Sequence, residues 1–405
     1  MQRRATFFYG WFIVMANFLI LFSLHGVIIN TFGVFFKPVS ESMGWSRATF
    51  AGALGIGALA MALGAPFVGK MLDKIGASKT MLVGALLCGA GMGLLGGATQ
   101  LSHFYALFAI VGLGLSASTS IPVSLVIANW FERKRGLAMG LSFTGTSLGG
   151  MIMNPVNTYL IQAFGWRESY VILGVAMILV TVPLILLIIR TRPSDMNLLP
   201  DGNEPAQRAT EPIAGQTLQE AFRTPTFWFI AGNMFLINFM ANSVGEHGVP
   251  YLTDIGHSEM AASIAIGLSM GFMTLGKLGS GLSADRWGAR PTFVASCIMT
   301  AAGIGVLMFA SNWWMLWLFA FIYGFPQGGP LTLTPLVVAN CHGLAHFGPI
   351  FGVMTLFSIL GAAIGPIIVG RMYDVSSSYQ SAFLLLIVIT LAGSYCIHKA
   401  RAPQR

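Results

Sequence analysis

Gly69-Lys70-Met71-Leu72-Asp73-Lys74-Ile75-Gly76 and Gly281-Leu282-Ser283-Ala284-Asp285-Arg286-Trp287-Gly288 are two copies of one pattern, Gly-x-x-x-Asp-(Lys/Arg)-x-Gly, set 212 residues apart. The same spacing joins Asn30 to Asn242, Pro38 to Pro250, Gly44 to Gly256 and Ser46 to Ser258. It also joins Gly112 to Gly324, Gly140 to Gly352 and Gly149 to Gly361. Single glycine matches arise by chance in a chain with 49 glycines. An eight-residue pattern in register with matches on both sides does not. The chain reads as one unit written twice.

The character of that unit follows from what surrounds the pattern. Of 405 residues, 55% are hydrophobic and only 9% charged, against about 25% charged in a soluble domain. With a mean hydropathy of +0.74, these values exclude a cytosolic enzyme, a secreted disulfide scaffold and a disordered chain. Cys88, Cys297, Cys341 and Cys396 form no CxxC pair. A span of about 20 apolar residues crosses a bilayer core about 30 Å thick. Twelve such runs lie near 9–36, 47–69, 79–99, 103–129, 136–160, 168–190, 226–251, 260–283, 291–310, 313–339, 347–370 and 379–398. The first is too long for a signal-peptide core and has no small-residue cleavage site after it, so it reads as a retained helix.

Charge sets the expected orientation. With the N-terminus inside, seventeen Lys and Arg residues, among them Arg3, Arg4, Arg208 and Arg405, fall in inner segments. Four (Lys37, Arg47, Arg167, Arg371) fall outside, and Lys277 lies within a span. The positive-inside rule then places both termini in the cytoplasm of a multi-pass plasma (inner) membrane protein. The net charge of +8 belongs to this pattern and not to nucleic-acid binding. The expected architecture is all-α, with twelve transmembrane helices in two pseudo-symmetric six-helix bundles. The expected domains are 1–190, a cytoplasmic linker 191–225, and 226–405. The linker carries Pro193, Pro200, Pro205 and Pro212, and Thr217 with Glu220 forms a capping-box pattern that predicts a short helix before the seventh span. A parallel repeat of this kind puts the substrate near the midplane where the repeats meet, with access alternating by rocking. Spans 1, 4, 7 and 10 are the expected lining.

The repeated pattern resembles the signature of the major facilitator superfamily, and the resemblance covers the whole chain. It implies a conformational latch formed by Gly69, Asp73, Lys74 and Gly76 and by Gly281, Asp285, Arg286 and Gly288. Within that superfamily the chain resembles the bacterial monocarboxylate porters. Phe35-Phe36-Lys37-Pro38 followed by Gly44-Trp45-Ser46-Arg47 carries the likeness, as do Asn129 through Gly140, His247-Gly248-Val249-Pro250-Tyr251-Leu252, and Tyr323-Gly324-Phe325 followed by Gly328-Gly329-Pro330. The resemblance implies a carrier of small carboxylates. Three positions depart from it. The substrate-binding Arg of the eighth span is Lys277, the Asp one turn earlier in animal members is Met273, and the first-span Lys of animal members is Asn30.

Residue chemistry supplies the remaining candidates. Asn238, Asn242 and Glu246 recur at i, i+4 and i+8 on one helix face. Polar groups at membrane depth face the bundle interior or a water-filled cavity; interhelical hydrogen bonding for packing is the alternative, and the symmetry partner Asn30 favours the cavity. Lys277 lies eight residues before Asp285, about 12 Å along a helix axis, so its Cα falls near the midplane. An ammonium there costs several kcal/mol unless compensated, and an anionic substrate supplies the counter-charge. The substrate-binding candidates are Lys277, Asn30, Asn238, Asn242, Tyr323 and His247. Proton-coupling candidates are Glu246, His247 and His25, the histidines because their ordinary pKa lies near 6.5; each also reads as a packed or water-facing residue. Tyr159 is a second phenol.

Several look-alike motifs are set aside. Gly271 through Lys277 mimics a phosphate loop, but Leu278 replaces the magnesium-binding hydroxyl and the motif sits inside an apolar run. Gly91-Met92-Gly93-Leu94-Leu95-Gly96 mimics a dinucleotide fingerprint in the same way. His342 and His346 have metal-ligand spacing without further ligands. No metal, cofactor or enzyme activity is expected. The expected partners are a small carboxylate, a proton or counter-anion, and the lipid bilayer, with no nucleic acid and a monomeric chain. Two other readings stay open: a carrier of a larger aromatic or weakly charged metabolite, and a membrane sensor on a transporter fold.

Overall fold

The computed structural model describes residues 8–30, 32–45, 47–202 and 215–401. Arg3, Arg4, Ser46, Pro205, Arg208, Pro212 and Arg405 lie outside the described residues, as does the side chain of Arg47. Twelve long helices account for nearly all of the rest. In the first half they are α1 (Gly10–Met43), α2 (Arg47–Ile75), α3 (Ala77–Leu95), α4 (Leu101–Trp130), α5 (Arg135–Phe164) and α6 (Trp166–Leu187). In the second half they are α7 (Pro225–Asp254), α8 (Glu259–Trp287), α9 (Ala289–Met308), α10 in two pieces (Trp313–Gln327 and Gly329–His342), α11 (Phe347–Ser376) and α12 (Gln380–Lys399). Ten are long and apolar enough to cross a membrane as continuous segments. The others are α5, diluted by Gly, Ser, Thr and Asn, and α10, which Gly328 divides.

The chain folds as two compact units. One takes in 1–214 and 346–352, the other 215–345 and 353–405. The 212-residue repeat is visible in the backbone of each. Left-handed φ values occur at Gly44 (67°) and Gly256 (100°), at Gly76 (81°) and Gly288 (93°), and at Gly165 (84°) and Ser377 (50°), every pair 212 apart. A residue with a Cβ rarely adopts such a φ, which is why glycine ends α2 and α8 at equivalent points. Helix crossings repeat as well. A Cβ on Gly112 would run into the backbone of Gly57, and one on Gly324 into the backbone of Ser269. In membranes small residues let helices approach closely enough for van der Waals packing to hold them.

The structure corrects several expected boundaries. The second and eighth spans, expected to end near 69 and 283, run on through the repeated pattern: Gly69 to Ile75 form the last turns of α2, and Gly281 to Trp287 those of α8. Three helices are irregular where continuous spans were expected. α1 contains a π-helical turn, His25–Ile29. α4 breaks at Thr119 (φ −115°, ψ −116°). α10 breaks at Gly328. Gly271 to Lys277 and Gly91 to Leu95 lie in uninterrupted helix, which leaves no loop to cradle a phosphate.

The linker divides between the units. Its first part is fastened to the first unit, where Asp201 Oδ2 accepts from the backbone N–H groups of Glu132 (2.9 Å) and Arg133 (2.6 Å). Its second part is fastened to the second unit, where the Gln216 N–H donates to His342 O (2.8 Å) beside a Gly215–Gly343 bridge. The capping box forms: Glu220 N–H donates to Thr217 Oγ1, Thr217 N–H donates to Glu220 Oε2, and Leu218–Phe222 is a short helix.

Candidate functional site

Lys277 projects from α8, and its backbone meets the break in α10. It is 5% exposed. A Cβ on Gly328 would lie 2.5 Å from Lys277 N, and Thr332 Oγ1 donates to Lys277 O at 3.4 Å. Gly276, one residue earlier, touches Phe325 O so closely that no Cβ fits. Glycines on both helices thus bring the Lys277 backbone against α10 at the point where α10 is interrupted. Tyr323 lies on the same stretch of α10. It is 5% exposed, stacked on Phe319 at 5.2 Å, and accepts from Gln327 Nε2 at 3.5 Å. Its backbone also fills the space beside Gly303 of α9. Lys277 and Tyr323 therefore both sit on the packed α8–α9–α10 side of the second unit.

The α7 stripe is present and its amides stay on their own helix. Asn238 Nδ2 donates to Met234 O (2.8 Å) and Asn242 Nδ2 to Asn238 O (3.0 Å). Both side chains are partly exposed and Glu246 is exposed. The interhelical amide bond from α7 comes instead from Asn233, fully buried, whose Nδ2 donates to Gly393 O of α12 at 2.9 Å. His247 has both ring nitrogens engaged, Nε2 with Pro366 O at 3.0 Å and Nδ1 with the Tyr379 hydroxyl at 3.2 Å. With Nε2–H donating to the carbonyl and Nδ1 accepting from the phenol, a neutral imidazole satisfies both contacts. This joins α7 to α11 and to the start of α12.

In the first unit, His25 opens the π turn of α1 and Asn30 closes it. π-turns insert an extra residue into a helix and recur at functional sites. Asn30 Nδ2 donates to Thr146 O of α5 at 2.7 Å, beside Gly150. Sequence reasoning missed Asn17 on α1. It is fully buried, and neither amide atom has a hydrogen-bond partner among the described residues. An orphaned polar side chain in a packed helix bundle calls for an explanation. The available signal was a lone amide in an apolar run. Tyr159 is 66% exposed.

At the helix ends, a Cβ on Gly69 would strike the backbone of Gly348 and Pro349, and Asp73 Oδ2 lies 3.3 Å from His346 Nδ1. Lys74, Asp285 and Arg286 are exposed, and the Arg286 guanidinium lies 5.5 Å over the Trp287 ring. His342 and His346 do not converge, since His342 packs on Gln216 and His346 on Asp73.

The twelve-helix architecture agrees with that of known proteins. The sequence model described as Major Facilitator Superfamily matches residues 13–281 and again 248–404. The chain belongs to the Major Facilitator Superfamily. Monocarboxylate transporter 13 of Bos taurus is 25% identical over 398 residues, covering 95% of this chain and 88% of that protein. Monocarboxylate transporter 12 of Homo sapiens is 24% identical over 423 residues, covering 98% and 81%. The crystal structure of the human organic anion transporter MFSD10 (TETRAN) superposes with a TM-score of 0.71 at 14% identity, covering 96% of this chain and 98% of that one. This superfamily member is therefore a multi-pass membrane protein and a secondary transporter of a small molecule, not an enzyme.

Proposed function

We propose that this protein carries a small organic anion of the monocarboxylate type across the plasma (inner) membrane by alternating access, coupled to a proton or to a counter-anion. The observation that carries this reading is Lys277, a basic side chain 5% exposed on a transmembrane helix. A Lys stem reaches about 6 Å, and the membrane surface is about 12 Å away along α8. The ammonium is thus kept at a depth where an entering carboxylate gains most from it. The named relatives are monocarboxylate transporters, which supports the same substrate class. Asn238, Asn242 and Tyr323 in the second unit and Asn30 in the first are the polar groups assigned to the substrate. His247 belongs to this set through its position on α7. Glu246 and His25 are the proton-coupling groups, with His247 the third. Gly69, Asp73, Lys74 and Gly76, with Gly281, Asp285, Arg286 and Gly288, act as the latch. Both termini are cytoplasmic.

The test is uptake of pyruvate, lactate and phenylacetate into liposomes holding the purified protein. Wild-type uptake should accelerate with an inward pH gradient or with trapped counter-anion. Lys277→Ala should fall to the empty-liposome rate while remaining folded. Lys277→Arg should keep part of the activity, because the charge stays while its geometry changes from a compact point to a planar fork. Unchanged uptake by folded Lys277→Ala would reject the assignment and favour a larger, weakly charged substrate.

A further inference from the structure

The second unit has a cavity of about 370 Å³ that the transport reading does not use. It lies between the ends of α8 and α9 with α10 as its floor. Ser280, Ser283 and Ser296 contribute hydroxyls, Phe325 and Met299 the apolar inner wall, and Trp287 the rim. Trp287 is 65% exposed. Ser280 and Ser296 converge: a Cβ placed on Gly329 would lie 3.1 Å from each Oγ. The volume falls at the small end of ligand sites, about 300–1,000 Å³.

Depth and chemistry identify an occupant. Gly288 marks the turn from α8 to α9, and Met299 lies eleven residues further along α9. That is about 16 Å of helix rise, close to half of a hydrocarbon core about 30 Å thick. The groove therefore runs from the membrane interface to the bilayer centre, the depth of one leaflet. Leu282 of α8 and Ile298 of α9, each next in sequence to a lining residue (Ser283 and Met299), are more than half exposed. Exposed side chains of this kind face hydrocarbon, because water there would carry a hydrophobic cost. An exposed Trp at a helix end is typical of the interface. Arg286 stacks on that ring at 5.5 Å, so a cation stands at the mouth of the groove, where a phosphate would lie. The hydroxyls below it suit ester oxygens, and the apolar wall below them suits a chain.

We propose that this groove is a binding site for an anionic phospholipid, with one acyl chain lying between α8 and α9 and the headgroup phosphate at Arg286. The site depends on membrane embedding and not on the identity of the transported substrate.

The test is native mass spectrometry of the full-length protein in detergent, titrated with phosphatidylglycerol, phosphatidylcholine and inorganic phosphate. The reading is the affinity of the first bound lipid. Phosphatidylglycerol should bind more tightly than phosphatidylcholine, and inorganic phosphate alone should not compete. Arg286→Gln should weaken phosphatidylglycerol about fivefold, the effect of one interfacial cation, and weaken phosphatidylcholine less, because its choline cation offsets the charge of the same phosphate. Ala295→Trp, which fills the groove from an exposed position on its wall, should weaken both lipids. Ala295→Leu serves the same purpose if the Trp variant fails to fold. Equal affinities for the two lipids, or undiminished binding by a folded Ala295 variant, would overturn the proposal.

Discussion

His342 shows how much a single side chain can hold. It lies three residues beyond the apolar span 313–339, at the end of α10, and is 2% exposed. Its Nδ1–H donates to Gln216 Oε1 at 2.7 Å, while its carbonyl accepts the Gln216 N–H at 2.8 Å. The other ring nitrogen, Nε2, is buried with no partner among the described residues. A proton on Nε2 would place a charge where nothing accepts it, and burial pushes the imidazole down to about 4. Below its unfolded value near 6.5, the unfolded chain binds a proton that the native site refuses. Stability therefore rises with pH between about 4 and 6.5 and is lost as pH falls through that window. The melting temperature of the wild type should drop more steeply across it than that of His342→Gln, which has no titrating group. Parallel profiles would show that the clasp does not depend on neutral His342. From sequence, His342 read only as half of a loose histidine pair. Its partner is 126 residues away in sequence, and no local spacing reveals such a contact.

The irregular elements were the least legible. Apolar length fixes a span, but it does not say where a helix will interrupt itself. Thr119 and Gly328 break α4 and α10, and the π turn at His25 distorts α1; each sits inside a run that hydropathy reads as continuous. Gly328 is decisive because its Cα faces the Lys277 backbone. A Cβ there would run into the backbone at Met273 O, Lys277 N and Gly276 C. Gly328→Ala should therefore cost about 1–3 kcal/mol as overpacking does, and it should displace Lys277. The expected result is a lower melting temperature together with lost anion uptake. Gly232 on α7 is the contrast. Its nearest neighbour to a new Cβ would be Cys396 Sγ at 3.9 Å, ordinary contact in a helix interior. Gly232→Ala should raise stability by up to about 1 kcal/mol, since glycine there has only its conformational cost. If both variants melt like the wild type, the close approach at Gly328 is not what seats α10 on α8.

At the scale of the whole chain, the repeat was legible because it is written in glycines that the backbone requires, at 44 and 256 and at 76 and 288. The substrate candidates were legible only as residue types. Asn238 and Asn242 turn back on their own helix, whereas Asn233, without a place in the stripe, makes the buried bond to α12. The same difference applies to orientation, which rests on where seventeen and four basic residues fall and so on a property of the entire sequence. Gln100 and Ser311 are exposed residues in turns between α3 and α4 and between α9 and α10. Ser194 is exposed just after α6. The positive-inside rule puts the first two outside and the third inside. Cys88, Cys297 and Cys341 are buried and Cys396 is partly so, so replacing all four by Ala or Ser leaves a silent background. In intact cells a membrane-impermeant maleimide should then label Gln100→Cys and Ser311→Cys, and it should label Ser194→Cys only after permeabilisation. Labelling of Ser194→Cys from outside, with the other two protected, would invert the orientation. It would also place the Asp73 and Asp285 turns on the outer face, where a cytoplasmic latch could not operate.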